Sequence, residues 1–328
     1  MTVPIRIGIA GYGNLGRGVE ASLTKNPDMQ LVGIFTRRDP QQVQALNVQT
    51  PVFTIADLAK FKDKIDVLIL CGGSKDDLPK QGPELAALFN TVDSFDTHAR
   101  IPEYFEAINE AATAQKNTAL ISVGWDPGVF SINRLYGEAI LPDGKTYTFW
   151  GKGVSQGHSD AIRRVAGVKH GIQYTIPAPE AIEQVRSGNR PFLTTRQKHQ
   201  RECYVVLHDN ADAQAIETTI KTMPNYFDEY DTTVHFIDEA TLQQDHQGMP
   251  HGGFVIRSGS SSSVHNQVIE YALRLENNPE FTASVLVAYA RATYRLNQQG
   301  QIGAKTVLDV APSLLSIKTP EQLRAELL

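Results

Sequence analysis

The sequence contains few cysteines, no long apolar run and no long basic stretch. Its two cysteines, Cys71 and Cys203, lack the spacing of metal ligands, and Cys71 ends the apolar segment VLILC, so neither a metal site nor a disulfide framework is expected. No apolar run approaches the roughly 20 residues of a membrane-spanning helix, and no signal peptide precedes the first apolar segment. A net charge of −5 without a basic patch argues against nucleic-acid binding. We therefore expect a cytoplasmic protein without membrane or nucleic-acid partners.

The first third of the chain has the pattern of a parallel sheet wrapped by helices. With 328 residues, of which 41% are hydrophobic, the chain is long enough for two cores. Short β-rich runs alternate there with helical stretches. The predicted strands are 5–10, 30–35, 51–54 (the weakest), 66–71, 90–93 and 118–123, and the predicted helices are 14–25, 80–89 and 102–116.

From about residue 145 the strand-like runs become longer and less evenly interleaved with helices, which predicts a second domain with a mixed or antiparallel sheet open on one face. The fold class is therefore α/β, a Rossmann-type doubly wound parallel sheet with a second α+β domain. We expect residues 1–124 and about 277–328 to bind a dinucleotide, and residues 125–276 to bind substrate and dimerise. The later elements are predicted as strands 145–150, 169–176, 200–207, 231–237 and 253–257, a Ser-rich loop 258–263, helices 264–275 and 280–297, and a segment 304–328 that returns to the first domain.

The segment IRIGIAGYGNLG, residues 5–16, joins an apolar run to Gly11-x-Gly13-x-x-Gly16. A strand, a tight turn and a helix start in this order hold the pyrophosphate of a dinucleotide. A second apolar run ends in Thr36-Arg37-Arg38, where an NAD site usually has a carboxylate for the ribose 2′-hydroxyl. Two guanidiniums suit a 2′-phosphate instead, so the pattern predicts NADP. The alternative for the arginines is a solvated basic turn.

Polar residues follow three more of the predicted strands. Cys71-Gly72-Gly73-Ser74 suits close approach of the backbone to a ligand, or is only a tight turn. The segment Asp93 to His98 offers carboxylates for an ammonium or a proton transfer, or an Asx turn with a surface histidine. Trp125-Asp126-Pro127-Gly128 has the composition of a helix start, with Asp126 as N-cap and Pro127 as first helical residue, although one carboxylate oxygen would remain for a ligand.

The second domain supplies further polar candidates but no zinc-ligand spacing, nucleophile elbow or phosphate-loop lysine. The segments 149–151 and 155–160 place glycines beside hydrogen-bonding side chains. Arg201 is suited to a bidentate pair with a substrate carboxylate, although an exposed strand arginine is the commoner case. His251 stands in a Gly- and Pro-rich loop that would display it. The chemistry indicated is hydride transfer with polar positioning.

Together these segments resemble the meso-diaminopimelate D-dehydrogenase family of NADP-dependent bacterial enzymes, essentially from end to end. The resemblance rests on GYGNLGRGVE, FTRR, VDSFDTH, SVGWDPGVFSINR, TFWGKGVSQGHSDAIRR, KTMPNYF, FIDEAT, GMPHGG and NPEFTAS. It implies the reversible oxidative deamination of the D-centre of meso-2,6-diaminopimelate in lysine biosynthesis. The products would be ammonia, NADPH and L-2-amino-6-oxopimelate, which cyclises to tetrahydrodipicolinate.

The resemblance also implies roles for individual residues. Asp96 and Asp126 would lie at the reacting D-centre as the catalytic pair, helping to deprotonate the amine or to activate water. Near that centre it implies substrate contacts by Trp125, Trp150, Gln156 and Gly157, and at the distal L-centre by Thr175, Arg201, His251 and Asn278. For NADP it implies contacts by Gly11, Tyr12, Gly13, Asn14, Leu15, Gly16, Thr36, Arg37, Arg38, Cys71, Gly72, Gly73, Ser74, Ser94, Phe95, Asp96, Pro127, Gly128 and Val129.

Such a substrate is nearly symmetric, so selecting one of its two opposite stereocentres requires that both ends be held at once.

Two other functions remain open from the residues alone. One is another two-domain NADP oxidoreductase, such as a dihydrodipicolinate reductase; a sugar-type enzyme usually carries Glu-Lys-Pro where Asp-Ser-Phe-Asp96 stands here. The other is a non-catalytic NADP-sensing regulator. The open sheet of the second domain predicts a homodimer.

Overall fold

A computed structural model describes residues 3–328. In chain order the strands are β1 (Ile5–Ala10), β2 (Met29–Thr36), β3 (Val52–Thr54), β4 (Val67–Leu70), β5 (Asn90–Asp93), β6 (Thr118–Leu120), β7 (Asp143–Trp150), β8 (Gly153–Val154), β9 (Val168–Pro177), β10 (His199–Leu207), β11 (Asp231–Phe236), β12 (His251–Ser260), β13 (Asn266–Leu275) and β14 (Gly303–Lys305). The α-helices are α1 (Asn14–Leu23), α2 (Leu78–Ala86), α3 (Ile101–Ala114), α4 (Val129–Ile140), α5 (Gln156–Arg163), α6 (Pro179–Arg186), α7 (Thr195–Lys198), α8 (Ala213–Lys221), α9 (Glu239–Asp245), α10 (Asn278–Gln298) and α11 (Pro320–Leu327).

The chain forms two compact units. The first runs to Ile132 and resumes at Pro279, and the second is Asn133–Asn278. The functions that we assign to these units stay predictions at this point.

The first unit is built on a seven-stranded sheet with the order β14-β6-β5-β4-β1-β2-β3, in which every neighbouring pair is parallel. Apolar residues of α1 and α10 pack with the strands in one core, and those of α2 and α3 in the other. The strand order reverses at β1 and β4, so the carboxyl ends of these strands form the edge where a doubly wound sheet binds its ligand. The predicted parallel sheet is confirmed.

The C-terminal segment returns to the first unit, as the sequence predicts. β14 pairs with β6, Gly303 opposite Thr118. Nearby, the buried Arg291 of α10 holds Asp28 through contacts of 2.6 and 2.8 Å and donates to the carbonyl of Leu315 at 2.8 Å. A buried arginine with these partners fixes the chain after α10 to the sheet domain.

The second unit contains two sheets, which confirms the predicted mixed and antiparallel pattern. One has the order β11-β10-β9-β8, with β10 parallel to β11 and antiparallel to β9. Helices α5 and α8 cover one face of this sheet through a shared apolar cluster. The other sheet, β13-β12-β7, is antiparallel and packs against α6.

The predicted helix over 264–275 is wrong, because Asn266–Leu275 is strand β13. It pairs with β12 from His251 opposite Leu275 to Ser260 opposite Asn266. Its sequence carries Val268, Ile269 and Tyr271, and its exposure alternates along much of the strand, both of which favour a strand. Ser258–Ser260 extend β12, so only the residues after them form the predicted Ser-rich loop.

Candidate active site

The glycine segment forms a tight turn between β1 and α1. The N–H of Gly11 donates to the carbonyl of Phe35 at 2.8 Å. A Cβ at Gly16 would lie 2.4 Å from the carbonyl oxygen of Gly11, so the helix can approach the turn this closely only with glycine there. The N-cap of α1, Gly13, offers no side chain to cap the helix. Backbone N–H groups at a helix N-terminus point towards such a turn, and together with the helix dipole they suit a pyrophosphate.

The end of β2 adds positive charge to this turn. Thr36 is buried and its Oγ1 accepts from the N–H of Arg38 at 3.1 Å. The guanidinium of Arg38 donates to the carbonyl of Tyr12, and that of Arg37 pairs with Asp77 at 2.7 Å. A cavity of about 310 Å³ is lined by these two arginines together with residues of the glycine turn and of the β4 end. Its cationic rim and glycine cradle fit NADP.

A buried carboxylate that sequence reasoning missed supports the glycine turn. Glu20 of α1 accepts from the hydroxyl of Tyr12, from the backbone N–H of Leu46 at 3.0 Å and from that of Asn47 at 3.1 Å. Burial would raise the pKa of Glu20, but these hydrogen bonds lower it overall. Glu20 thus holds the segment before β3 against Tyr12. An acidic residue in an amphipathic helix gives no sign of such a role.

The ends of β4 and β5 meet at the same edge. The Oγ of Ser74 accepts from the backbone N–H of Asp96 at 3.1 Å, and Asp77 accepts from the N–H of Gly73 at 3.0 Å. The structure therefore brings the Cys71–Ser74 segment next to Asp96, whose side chain is exposed. An exposed carboxylate on this edge can accept from an ammonium group.

Asp93, at the last position of β5, supports this edge through buried hydrogen bonds. It is buried and accepts from the backbone N–H of Phe95 at 2.9 Å, from that of Ser122 at 3.2 Å and from the hydroxyl of Tyr104 at 2.8 Å. Desolvation dominates over these hydrogen bonds and raises the pKa of Asp93 to about 6. Asp93 therefore positions the Ser94–Asp96 turn and does not face solvent as a ligand group.

The Trp125–Gly128 segment is a tight turn before α4, so the predicted helix start at Pro127 is wrong. Trp125 and Gly128 form an isolated bridge, and the helix begins only at Val129, whose N–H donates to the carbonyl of Gly124 at 2.9 Å. The turn therefore holds the half-buried Asp126 and Pro127 outside the helix.

In the second unit, strand register and packing bring three of the predicted residues together. Gly153 of β8 lies opposite Thr175 of β9, which lies opposite Arg201 of β10. Arg201 is buried and donates to Thr175 Oγ1. A Cβ at Gly153 would lie 2.4 Å from the ring of His251, so this histidine packs directly on the same row. The row gathers Thr175, Arg201 and His251.

Arg201 has hydrogen-bonding capacity that the described residues do not use. Its Nε is buried without a partner among residues 3–328, as are Thr232 Oγ1, in register with Arg201 on β11, and Gln173 Oε1 on β9. Burial lowers the pKa of Arg201, while the neighbouring Tyr230 opposes that shift. A buried cation that lacks a carboxylate partner within the described chain is suited to an anionic ligand.

Trp150 is held by a histidine that the sequence did not single out. The Nε2 of His199 accepts from the backbone N–H of Trp150 at 2.8 Å, and the two rings stack with centroids 5.3 Å apart. Burial, followed by the charges of Lys198 and Arg201, lowers the pKa of His199 to about 3. His199 therefore stays neutral and acts as an acceptor. It lies two residues before Arg201, and nothing in the surrounding sequence marks its role.

The remaining predicted substrate residues lie at the starts of α5 and α10, and of these two helices only α10 is predicted from the sequence. Gln156 and Gly157 open α5, directly after Ser155, whose N–H donates to the carbonyl of Gln173 at 3.1 Å. Asn278 opens α10, and its N–H donates to the carbonyl of Met249 at 2.9 Å.

Within residues 3–328, none of the helices combines the length and the hydropathy that a membrane span requires. The same part of the chain contains no cluster of His, Cys, Asp and Glu fit for a metal ion.

Comparison with known proteins identifies the family of this chain. Residues 124–277 match the family described as the diaminopimelic acid dehydrogenase C-terminal domain. The chain is 65% identical over 324 residues, 99% of each sequence, to the meso-diaminopimelate D-dehydrogenase of Ureibacillus thermosphaericus. A mutant meso-diaminopimelate dehydrogenase of Clostridium tetani E88, crystallised with DAP, is 58% identical with a TM-score of 0.93, covering 99% of this chain and 100% of that one. An engineered D-amino acid dehydrogenase bound to NADP⁺ is 50% identical with a TM-score of 0.86 and covers 99% and 100%. The chain therefore belongs to the meso-diaminopimelate D-dehydrogenase family.

Proposed function

We propose that this chain is an NADP-dependent dehydrogenase that oxidatively deaminates the D-centre of meso-2,6-diaminopimelate, reversibly, in lysine biosynthesis. Its products are ammonia, NADPH and L-2-amino-6-oxopimelate, which cyclises to tetrahydrodipicolinate. The observation that carries the proposal is the row of Thr175, Arg201 and His251, in which a buried guanidinium lacks a carboxylate partner within residues 3–328. Such a guanidinium is suited to the second carboxylate of a diamino diacid.

A comparison of spacing supports the assignment of this row to the substrate. The Clostridium tetani mutant crystallised with DAP is substituted at a glutamine, a threonine, an arginine, a proline, a histidine and an asparagine. The same residue types stand in this chain in the same order and at the same intervals, as Gln156, Thr175, Arg201, Pro250, His251 and Asn278. All but Pro250 belong to the substrate residues that the family resemblance implies.

We assign the two ends of the substrate to different groups. Asp96 and Asp126 accept from the ammonium of the D-centre, with Trp125, Trp150, Gln156 and Gly157 around that centre. Thr175, Arg201, His251 and Asn278 bind the L-centre and its carboxylate. Holding both ends presents one C–H to the cofactor, and such placement is worth several kcal/mol of the barrier, of the order of 7 for well-oriented groups.

NADP⁺, when bound, supplies the hydride acceptor. The glycine turn with Gly11–Gly16 and the residues Thr36–Arg38, Cys71–Ser74, Ser94–Asp96 and Pro127–Val129 are the groups that we assign to it. The chain itself contributes proton transfer. Asp96 or Asp126 takes a proton from the amine before oxidation, or from the water that attacks the resulting imine. Trp150, stacked on His199, offers an apolar surface beside this chemistry.

The test is NADP⁺ reduction with the meso, L,L and D,D isomers supplied separately. We expect the meso isomer to be strongly preferred, because only it combines a D-centre for Asp96 and Asp126 with an L-centre for Arg201. Equal rates with the L,L isomer would refute the stereochemical assignment. NADPH consumption that requires both ammonia and a keto acid separates an enzyme from an NADP-sensing regulator, which would show none. Family membership favours neither that regulator nor a dihydrodipicolinate reductase.

We further propose that the enzyme is a cytoplasmic homodimer. One face of the β11-β10-β9-β8 sheet is covered by α5 and α8, whereas the opposite face presents Tyr204 and His235, stacked at 4.8 Å, with His246 packed on Tyr204 at 4.1 Å. Phe236 at the end of the edge strand β11 is 37% exposed. A half-open sheet with an aromatic surface suits burial against a second copy. The thiols of Cys71 and Cys203, neither of which is in a disulfide, fit a reducing compartment.

A further inference from the structure

The guanidinium of Arg201 is held from a second direction by a residue outside every motif discussed above. The ring of Tyr230 lies on it, with 3.9 Å from the guanidinium carbon to the ring centre. Tyr230 directly precedes β11, the strand that pairs with β10 at Arg201. Its own N–H donates to the carbonyl of Phe227 at 3.0 Å, which fixes the turn that carries it.

The two contacts constrain Arg201 in complementary ways. Guanidinium N–H groups donate in the plane of the group, so the hydrogen bond to Thr175 limits in-plane rotation. An aromatic ring on the face of the guanidinium limits tilting out of that plane. An arginine held in both directions pays less entropy when it binds a carboxylate, because its planar fork is already oriented.

Stacking also allows Arg201 to remain charged in a buried position. Burial lowers the pKa of Arg201, and the charge and hydrogen-bonding capacity of the Tyr230 hydroxyl oppose that shift. The ring adds a separate attraction, because it lies 3.9 Å from the guanidinium carbon on the face of the group. Without the ring, this buried cation would have one hydrogen bond to Thr175 and an unpartnered Nε within the described residues. The side chain would then be free to leave the row that contains Thr175 and His251.

We propose that Tyr230 is a positioning residue for recognition of the distal carboxylate, acting by holding Arg201 in its binding orientation. This rests on the proposed function, in which Arg201 binds the carboxylate of the L-centre. The ring carries the effect, so phenylalanine fulfils the role and an aliphatic side chain does not.

The experiment compares Tyr230→Leu and Tyr230→Phe with the wild type in steady-state kinetics. A cation–π contact of about 1–2 kcal/mol corresponds to a roughly 5- to 30-fold rise in KM for meso-diaminopimelate in Tyr230→Leu. We expect KM for NADP⁺ and the thermal unfolding midpoint to stay close to the wild-type values, kcat to change less than KM, and Tyr230→Phe to restore most of the affinity. Phe192→Leu is the matched control, because Phe192 lies in the same unit and forms a cation–π contact with Lys145, at 5.3 Å, instead of with Arg201.

The outcomes separate the positioning role from the function it rests on. If the wild type does not oxidise meso-diaminopimelate, the proposed function fails. If the wild type is active and Tyr230→Leu keeps its KM for this substrate, or if KM for NADP⁺ rises equally, the positioning role is wrong while the function stands. Failure of Tyr230→Phe to recover affinity would also overturn it, since the hydroxyl and not the ring would then be required.

Discussion

Replacing Asp93 by asparagine should change how stability depends on pH. Asp93 is 1% exposed, and burial raises its pKa from 3.8 to about 6. Between these values the folded protein binds a proton that the unfolded chain has released, so stability falls as pH rises through this range. Over the whole range the free energy of unfolding falls by about 3 kcal/mol. Between about pH 4.5 and 7.5 it falls by about 2 kcal/mol. Asparagine does not ionise and keeps an oxygen to accept from the N–H groups of Phe95 and Ser122.

The assay is urea unfolding of the wild type and Asp93→Asn at both pH values. The amide lacks the second acceptor used by the Tyr104 hydroxyl, so the variant starts with a constant cost of about 1 kcal/mol at either pH. The difference in free energy of unfolding should nevertheless move by about 2 kcal/mol in favour of the variant as pH rises. A difference that is the same at both pH values would show that Asp93 ionises normally in the folded protein, and the account of this buried carboxylate would be wrong.

Two further predictions concern the second unit and the cofactor. His199, whose pKa is lowered to about 3, should produce the opposite dependence, because the unfolded chain gains a proton below about pH 6.5 and stability is lost as pH falls. Between about pH 7 and 5, urea titrations of His199→Gln should show about 2 kcal/mol less loss than the wild type; an equal loss would contradict the neutral, buried histidine. Arg38→Ala should raise KM for NADP⁺ by about 10-fold or more, from the loss of a charge-assisted contact, and leave KM for NAD⁺ little changed. Equal changes in both constants would mean that Arg38 does not recognise the 2′-phosphate.

Much of the first unit could be predicted from the sequence because its signals are local. An apolar strand followed by a glycine turn defines β1 and the start of α1, and the Thr36-Arg37-Arg38 segment stands where strand order places it, at the carboxyl edge of the sheet. The predicted return of the C-terminal segment to the first unit is also confirmed, by the pairing of β14 with β6. Helix α10 packs closely on α1, because a Cβ built at Gly18 of α1 would lie 2.9 Å from the Cβ of Ala283 on α10.

The errors occurred where tertiary contacts decide the local structure. The segment 264–275 mixes helix-compatible residues such as Glu270 and Leu273 with β-branched ones, and only its hairpin with β12 makes it a strand. Asp126 and Pro127 have the composition of a helix start, yet the bridge between Trp125 and Gly128 delays the helix. Local composition sets only a preference for helix or strand, and the contacts made in the folded protein decide which of them forms.

The residues that support the site could not be predicted from the sequence, for a similar reason. Glu20, Asp93, His199 and Tyr230 each act through a partner that is distant in sequence or through a backbone group, so no motif marks them. Arg201 itself stood out only as a possible carboxylate ligand beside other basic residues. Its burial and its alignment with Thr175 become evident only from the register of β9 and β10.

A crystal structure of this chain with NADP⁺ and meso-diaminopimelate tests the central claim most directly. The account predicts that Arg201 and Thr175 lie within hydrogen-bond distance of the carboxylate at the L-centre, while Asp96 or Asp126 accepts from the ammonium at the D-centre. A complex in which the substrate's carboxylates avoid Arg201 and its reacting ammonium contacts neither aspartate would contradict it.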